Sequence, residues 1–533
     1  MNRRTFVHTS MLGVAMMPGM ARIGYTPRRP RAVDEPINRD ALRALTSVAL
    51  DAARQAGATY ADVQIRTTLF EQWGATTWDS VPYWRVGGGA SVRAFVRDCW
   101  GVVSLDGAVT DRDMARLGRD AVAQSRMGSV GAAGPLEWAP SPAVPDGDWR
   151  MPVELDPFVV SPNEKHDFLM AVVDDVTRWD NRISNAAARA KFIRDTRTFA
   201  STDGTFCTQQ LFNTGGEISF FLGNRQAYTG DFLTPAGAGW EYLVNAPYRD
   251  RMPRWIDLAL RHQNPVPIEP GRFDVVFGGF AAAELLNGTI GIGTELDRAL
   301  GRYANDVGTS FITDPLGMLG ILAVGAPSIT VTANRSAPRG AATVKWDDEG
   351  VAPQETTLVN AGVLADMQTT RDTVPTLKAA YDRTGRPVRS NGCAGRPHAS
   401  DLPGQNASNL SLAPGAGDNG FDDLIKGVKR GYAILGNQVS MDWQVLNGAG
   451  RPHVGAIFVI RNGQLAEGVM THGTEFLLRT PELWKSVVTI GGRSKVESYG
   501  FVRGYEDDVL SNSVATAPIT VAQLRLVNAL EQH

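Results

Sequence analysis

FAAAELLNGTIGIGTELD runs from Phe280 to Asp297. Phe280 to Ile290 reads as a helix. A short buried strand, Phe273 to Phe277, precedes it. Before that strand lies Pro265-Val266-Pro267-Ile268-Glu269-Pro270-Gly271, a breaker-rich segment that reads as a domain boundary. After the helix the chain turns to short strands separated by Gly, Asn and Asp. Ser328 to Ala333, Ala342 to Trp346, Thr357 to Asn360 and Gly455 to Ile460 read as strands, and Arg461-Asn462-Gly463-Gln464 as a hairpin turn. Phe421 to Tyr432 reads as the clearest later helix.

At 533 residues the chain exceeds one ordinary core, so two domains are expected. With 43% hydrophobic and 20% charged residues the composition is that of a globular protein. A net charge of −3 gives no basic excess, so no nucleic-acid partner is expected. Past the N-terminus no apolar run is long enough for a membrane span. At the start, Arg3-Arg4-Thr5-Phe6-Val7 precedes an apolar stretch to Met20, and Gly19-Met20-Ala21 offers a small-residue cleavage site. This resembles a twin-arginine export signal and places the protein in the periplasm or another extracytoplasmic space. Residues 1–35 are therefore read as signal and linker, 36–265 as the first domain and 266–533 as the second.

The first domain opens with a helix from Asn38 to Ala56, capped by Asn38 and stopped by Gly57. Tyr60 to Thr67 alternates as a strand, with Ala61, Val63 and Ile65 on one side and Asp62, Gln64 and Arg66 on the other. Ser91 to Arg97 and Trp100 to Leu105 form a hairpin about Asp98-Cys99. Asp111 to Arg126 is helical, with Thr110 and Asp113 as a capping pair. A proline-rich connection follows, then a helix capped by Ser161 to about Thr177. Ala190 to Ala200, Thr205 to Phe212 and Glu217 to Leu222 suggest an antiparallel sheet, and Pro253 to Gln263 a last helix.

Chemistry-bearing motifs are scarce. Cys99, Cys207 and Cys393 are too few and too scattered for a disulfide framework. There is no G-x-x-x-x-G-K-[ST] and no G-x-S-x-G. Gly291-Ile292-Gly293 starts a dinucleotide-like pattern, but Leu296 stands at the third glycine position. None of the seven histidines is followed by Glu, so neither HExxH nor HExxxH occurs.

Several segments together resemble the TldD/PmbA metallopeptidase family. They are YADVQIR and GGGASVRAFVRDCWGVVS in the first half and, in the second, the Phe280–Asp297 stretch, Gly308-Thr309-Ser310-Phe311, and Trp346-Asp347-Asp348-Glu349-Gly350-Val351. Asn406-Ala407-Ser408-Asn409-Leu410 with Pro414-Gly415, Lys429-Arg430-Gly431-Tyr432, and Leu435-Gly436-Asn437-Gln438-Val439 follow in the same order. The resemblance implies an α+β fold of two domains. The N-terminal one is α/β-type with an antiparallel sheet, and the C-terminal one is rich in antiparallel strands.

The resemblance also implies a helical zinc motif, His-Glu-x-x-x-His, with a distant Cys as third ligand. Its positions fall here on Asn287, Gly288 and Ile292, and no Cys occurs between Ser486 and Tyr505 or anywhere after Cys393. A zinc hydrolase needs three protein ligands, an open position and a base. The implied expectation is a pseudoenzyme without catalytic residues or bound metal: the non-catalytic, TldE/PmbA-like oligomer subunit of a peptide-processing protease. Its partner would be a zinc-bearing TldD-like paralogue or a second copy of itself, and its ligand a peptide.

Two alternatives stay open. One is an active metallopeptidase with rebuilt ligands drawn from Cys393, His398, His453 or His472. Cys393 and His398 lie five apart in one loop and could also act as a thiol–imidazole pair. The other is a self-associating extracytoplasmic peptide- or glycan-binding protein. Glu284, Glu295 and Asp297, which flank the motif positions, are candidates for contacts to a bound peptide, with capping or ion pairing as the plainer role.

Overall fold

The computed structural model describes residues 37–77, 79–128, 137–223, 226–302, 304, 308–398, 401, 403–435, 439–441, 449–452, 457–477, 479–502 and 511–529. The segment expected to be an export signal, residues 436–438 and His453 lie outside this set.

The first half is built on local signals that hold. Helix α1 (Arg39–Ala56) starts where Ala41 N donates to Asn38 Oδ1 at 3.0 Å and stops at Gly57, φ +98°. Strands β1 (Tyr60–Thr76), β2 (Ser80–Val96) and β3 (Cys99–Asp106) form a meander. Arg97 and Asp98 both take positive φ, which closes the tight β2–β3 turn. Helix α2 (Asp111–Gly128) begins on the Thr110–Asp113 capping pair, and β4 (Gly147–Arg150) follows it. Helix α3 (Pro162–Trp179) begins on Ser161, whose hydroxyl accepts from Glu164 N at 3.2 Å. Then come β5 (Ile183–Ser201), β6 (Phe206–Leu222), β7 (Gln226–Ala236), the short α4 (Glu241–Val244) and α5 (Tyr248–Arg261).

The seven strands make one sheet in the order β3-β2-β1-β5-β6-β4, with β7 also on β6. All its pairings are antiparallel except the parallel β4–β6 pair. The two segments expected at 205–212 and 217–222 are one continuous strand, β6.

The second half holds two larger sheets and a small one. Strand β8 (Gly271–Phe277) leads directly into helix α6 (Gly279–Leu286). Beyond it lie β9 (Val331–Ala333), β10 (Thr356–Asn360), β11 (Val363–Leu364), β12 (Ala394–Gly395), β13 (Gly404–Gln405), β14 (Leu410–Leu412) and β15 (Arg430–Ile434). The remainder are β16 (Val439–Met441), β17 (Ala449–Pro452), β18 (Ile457–Arg461), β19 (Gln464–Gly468), β20 (Thr474–Leu477), β21 (Val487–Ile490), β22 (Glu497–Val502), β23 (Ser511–Thr516) and β24 (Ile519–Asn528). One sheet runs β11-β10-β9-β14-β23-β22. Another runs β16-β17-β20-β24-β8-β15-β18-β19, with β21 also on β24. Asn462 and Gly463, φ +48° and +75°, make the expected β18–β19 turn. Among the described residues, only β14–β23 and β8–β15 pair in parallel within these two sheets. The architecture is α+β, with an antiparallel sheet in the first half and predominantly antiparallel sheets in the second.

Two expected elements change. Ala342 to Trp346 is not a strand, because a side chain replaces the ladder: Gln209 Oε1 accepts from Lys345 N at 3.0 Å and Gln209 Nε2 donates to Trp346 O at 2.6 Å. The Phe421 to Tyr432 helix is shorter, Phe421–Lys426, because Arg430–Ile434 is drawn into the sheet as β15 beside β8.

Helix α6 is buried. Ala281, Ala282, Leu285 and Leu286 are fully buried, and they share one apolar cluster with Val275 and Phe277 of β8, Leu410 of β14, Val514 of β23 and Ile519 of β24. The helix therefore lies within the core that both larger sheets build.

Candidate functional site

Helix α6 does not end at Leu286. It passes into a π-helical turn, Asn287–Gly291, carrying the motif positions Asn287 and Gly288. The sequence NGTIG favours such a turn. Two glycines weaken the α-helix, and Thr289 Oγ1 donates back to Leu285 O. A π turn has a consequence for the i, i+5 spacing of Asn287 and Ile292. On an α-helix such positions stand about 140° apart, and the wider turn brings them nearer one face.

Three contacts hold the turn. Trp484 Nε1 donates to Thr289 Oγ1 at 2.9 Å, Gln368 Nε2 donates to Gly291 O at 2.8 Å, and Asn512 Nδ2 donates to Asn287 Oδ1 at 2.8 Å. Asn512 Nδ2 also reaches Ser408 O at 3.2 Å, while its own Oδ1 is buried without a partner. Asn512 comes from β23. It is the distant side chain that meets the first motif position, and it lies beyond the Ser486–Tyr505 window where the resemblance suggested looking.

The donor set around these positions does not fit zinc. Asn287 and Asn512 are amides spent on one another, Gly288 is buried and has no side chain, and Ile292 is 3% exposed. Among the described residues no three His, Cys, Asp or Glu side chains stand close enough to hold a metal ion.

Glu284, Glu295 and Asp297 are placed differently from one another. Glu284 is half-buried on α6. Glu295 is buried, pairs its strand backbone with Gln368 and faces Arg298 at 3.7 Å. Asp297 accepts from Arg298 N at 2.7 Å and Gln405 N at 3.2 Å. Burial, and then the neighbouring Glu295, pushes the Asp297 carboxyl up to about 6.

Cys393 and His398 are not a reactive pair in this geometry. Cys393 is buried, with Sγ 3.1 Å from Asn391 Oδ1 and 3.3 Å from Ser408 Oγ. Burial pushes its thiol up to about 11, whereas an activated thiolate needs the opposite shift. His398 is exposed, with its backbone N donating to Asp401 Oδ2 at 3.0 Å. His472 is exposed as well.

A buried polar network joins the two halves, and it is not legible in the sequence. Asp62, Gln64 and Arg66, the polar face of β1, are 1%, 1% and 2% exposed. The segment Asp347-Asp348-Glu349 covers them. Asp348 Oδ1 accepts from Gln64 Nε2 at 2.9 Å and from an Arg197 amine at 3.0 Å, and its Oδ2 accepts from Arg396 N at 2.8 Å. Arg66 grips Asp195 through two bonds, 2.8 and 2.9 Å, and donates to Arg396 O at 2.7 Å. Arg93 grips Asp62 and reaches Glu349 Oε1 at 3.3 Å. Asp347 accepts from the backbone N of Glu349, Val351 and Ala394.

The charges divide by environment. Burial alone would raise Asp348, but Arg197, Arg66 and Arg396 hold it well below the usual carboxylate range. Burial pushes Asp347 and Glu349 up. Each half thus supplies buried charges that the other neutralises. Such a network fixes how the two halves dock, because a misplaced half would leave charges buried and unpaired.

Residues 270–527 match the model of the PmbA/TldA metallopeptidase C-terminal domain. The chain is similar to Metalloprotease MJ0996 of Methanocaldococcus jannaschii, 23% identical over 397 residues, covering 72% of this chain and 78% of that one. It is also similar to a metalloprotease of Methanothermobacter thermautotrophicus, 27% identical over 233 residues, covering 43% of this chain and 46% of that one. The crystal structure of TldE from Thermococcus kodakarensis shares the fold, with a TM-score of 0.67 and 16% identity, over 91% of this chain and 100% of that chain. Residues 270–527 thus carry a PmbA/TldA metallopeptidase C-terminal domain, and the metalloprotease relatives and the shared fold support the TldD/PmbA family for the chain.

Proposed function

We propose that this chain is a non-catalytic subunit of a peptide-processing assembly, completed by a zinc-bearing relative. The observation that carries the reading is the amide pair Asn287–Asn512 at 2.8 Å, flanked by Gly288 and a buried Ile292. A hydrolytic water needs a Lewis acid and a base, and these four residues offer neither. The core around α6 remains fully packed, so the subunit retains the family's shape without its electrophile. Its contribution is to frame a chamber and to hold extended peptide by backbone pairing at a sheet edge. The twin-arginine pair at Arg3-Arg4 supports export of the folded chain, alone or with its partner.

The test combines metal quantification with co-purification. The chain is expressed with a family member that carries His-Glu-x-x-x-His. A stable complex that cleaves peptides, with zinc stoichiometric to the partner alone, is the expected result. Stoichiometric zinc in the isolated chain, with chelator-sensitive cleavage, refutes the proposal and favours a rebuilt metal site. A stable self-assembly that ignores the zinc-bearing relative refutes it in favour of a binding protein. Export is read separately: replacing Arg3 and Arg4 by Lys should retain the chain in the cytoplasm.

A further inference from the structure

A cleft of about 310 Å³ opens in the second half, at the start of β8 and along β24. Arg272, Arg479 and Arg525 line it, with Glu482 as the acidic member. Buried Leu483 and Leu524 supply an apolar floor. Arg272 donates to Gln523 O at 3.1 Å, and among the described residues none of the three arginines forms an ion pair.

The backbone here is shaped around the cleft. A bulge interrupts the β24–β8 register between Val521 and Leu524. Gln523, the bulged residue, takes φ +55°, and its side-chain and backbone nitrogens both reach Asp274 Oδ1, at 3.3 and 3.1 Å. A non-glycine residue in the left-handed region costs of order 1–3 kcal/mol and persists only where its surroundings fix it. Bulges redirect neighbouring side chains, and Arg525 follows this one.

We infer that this cleft binds an oxyanion, carboxylate or phosphate, carried on a small and partly apolar molecule. Three guanidiniums that form no ion pair among the described residues focus a positive field in one concavity, on a chain whose net charge is −3. Their planar forks match carboxylate and phosphate geometry. The volume lies at the lower end of ligand pockets, about 300–1,000 Å³. The site is independent of the proposed subunit role. It still touches the motif helix, because the helix Thr480–Lys485 bears Glu482 and Leu483 on the cleft and Trp484 on Thr289.

The full chain is titrated calorimetrically at low ionic strength with three probes: inorganic phosphate, N-acetyl-leucine and its neutral amide. Saturable binding of phosphate or N-acetyl-leucine, but not of the amide, is expected. Binding of phosphate alone assigns the site to phosphate carriers, and of N-acetyl-leucine alone to carboxylates. R479A and R525A should each weaken binding about tenfold, and E482Q should strengthen it. All three side chains border solvent, so unchanged thermal unfolding confirms intact folding. Absence of saturable binding in the millimolar range overturns the inference. Binding that survives R479A and R525A, or that is matched by the amide, also overturns it.

Discussion

Asp348→Ala tests the docking of the two halves most directly. The wild-type carboxylate is fully buried and accepts from Gln64 and Arg197 of the first half and from Arg396 N of the second. Removing it leaves a buried amide donor and a buried backbone N–H without partners. It also leaves Arg197 leaning on Asp195 alone. Breaking a buried ion pair from one side costs about 3–5 kcal/mol. The orphaned donors overlap with that figure rather than adding to it, so about 4 kcal/mol is the expected loss. At about 2–4 °C per kcal/mol for a domain of 150–250 residues, Tm should fall by about 8–16 °C. Differential scanning calorimetry reads this. Asp382→Ala is the control: it removes an exposed i,i+4 pair with Lys378 and should cost about 0.3–0.5 kcal/mol. A D348A loss below about 1 kcal/mol would mean that this carboxylate does not hold the halves together, and the network argument would fall.

Three further outcomes follow from the same geometry. Because Glu349 is raised in the folded state to about 8 from 4.5, its contribution is fully present below the unfolded value and lost as pH rises to about 8. Stability should therefore decline across that window, and Glu349→Gln should flatten the decline on its upper side, since Asp347 is raised less far; an unchanged slope refutes the assignment. Thiol titration of the native chain should show fast modification of half-buried Cys99 only, with Cys207 and Cys393 reacting on unfolding; a fast Cys393 would revive thiol chemistry at the loop. Gly291→Ala places a Cβ 2.7 Å from Leu410 Cδ1 and should destabilise by about 1–3 kcal/mol in chemical denaturation; a neutral effect would show that Leu410 gives way.

Local chemistry was legible without a structure. Asn38, Ser161 and the Thr110–Asp113 pair cap helices through side chains within three residues of the groups they satisfy. Asn462-Gly463 forms its turn because left-handed backbone is cheap there. The absence of any His-Glu pair is likewise a property of the sequence, and so was the family resemblance carried by short segments in fixed order.

What alternation could not say was what covers the polar face of β1. Asp62, Gln64 and Arg66 share one side of the strand by alternation, but nothing local shows that Asp348, more than 280 positions from Gln64, lies on them. The Asn287–Asn512 contact spans 225 positions, and Cys393 and His398, neighbours in one loop, point one inward and one outward. Capping and turns depend on backbone groups a few residues away, so sequence specifies them. Buried charge partners depend on how sheets stack across the halves of the chain, and only the tertiary fold sets that.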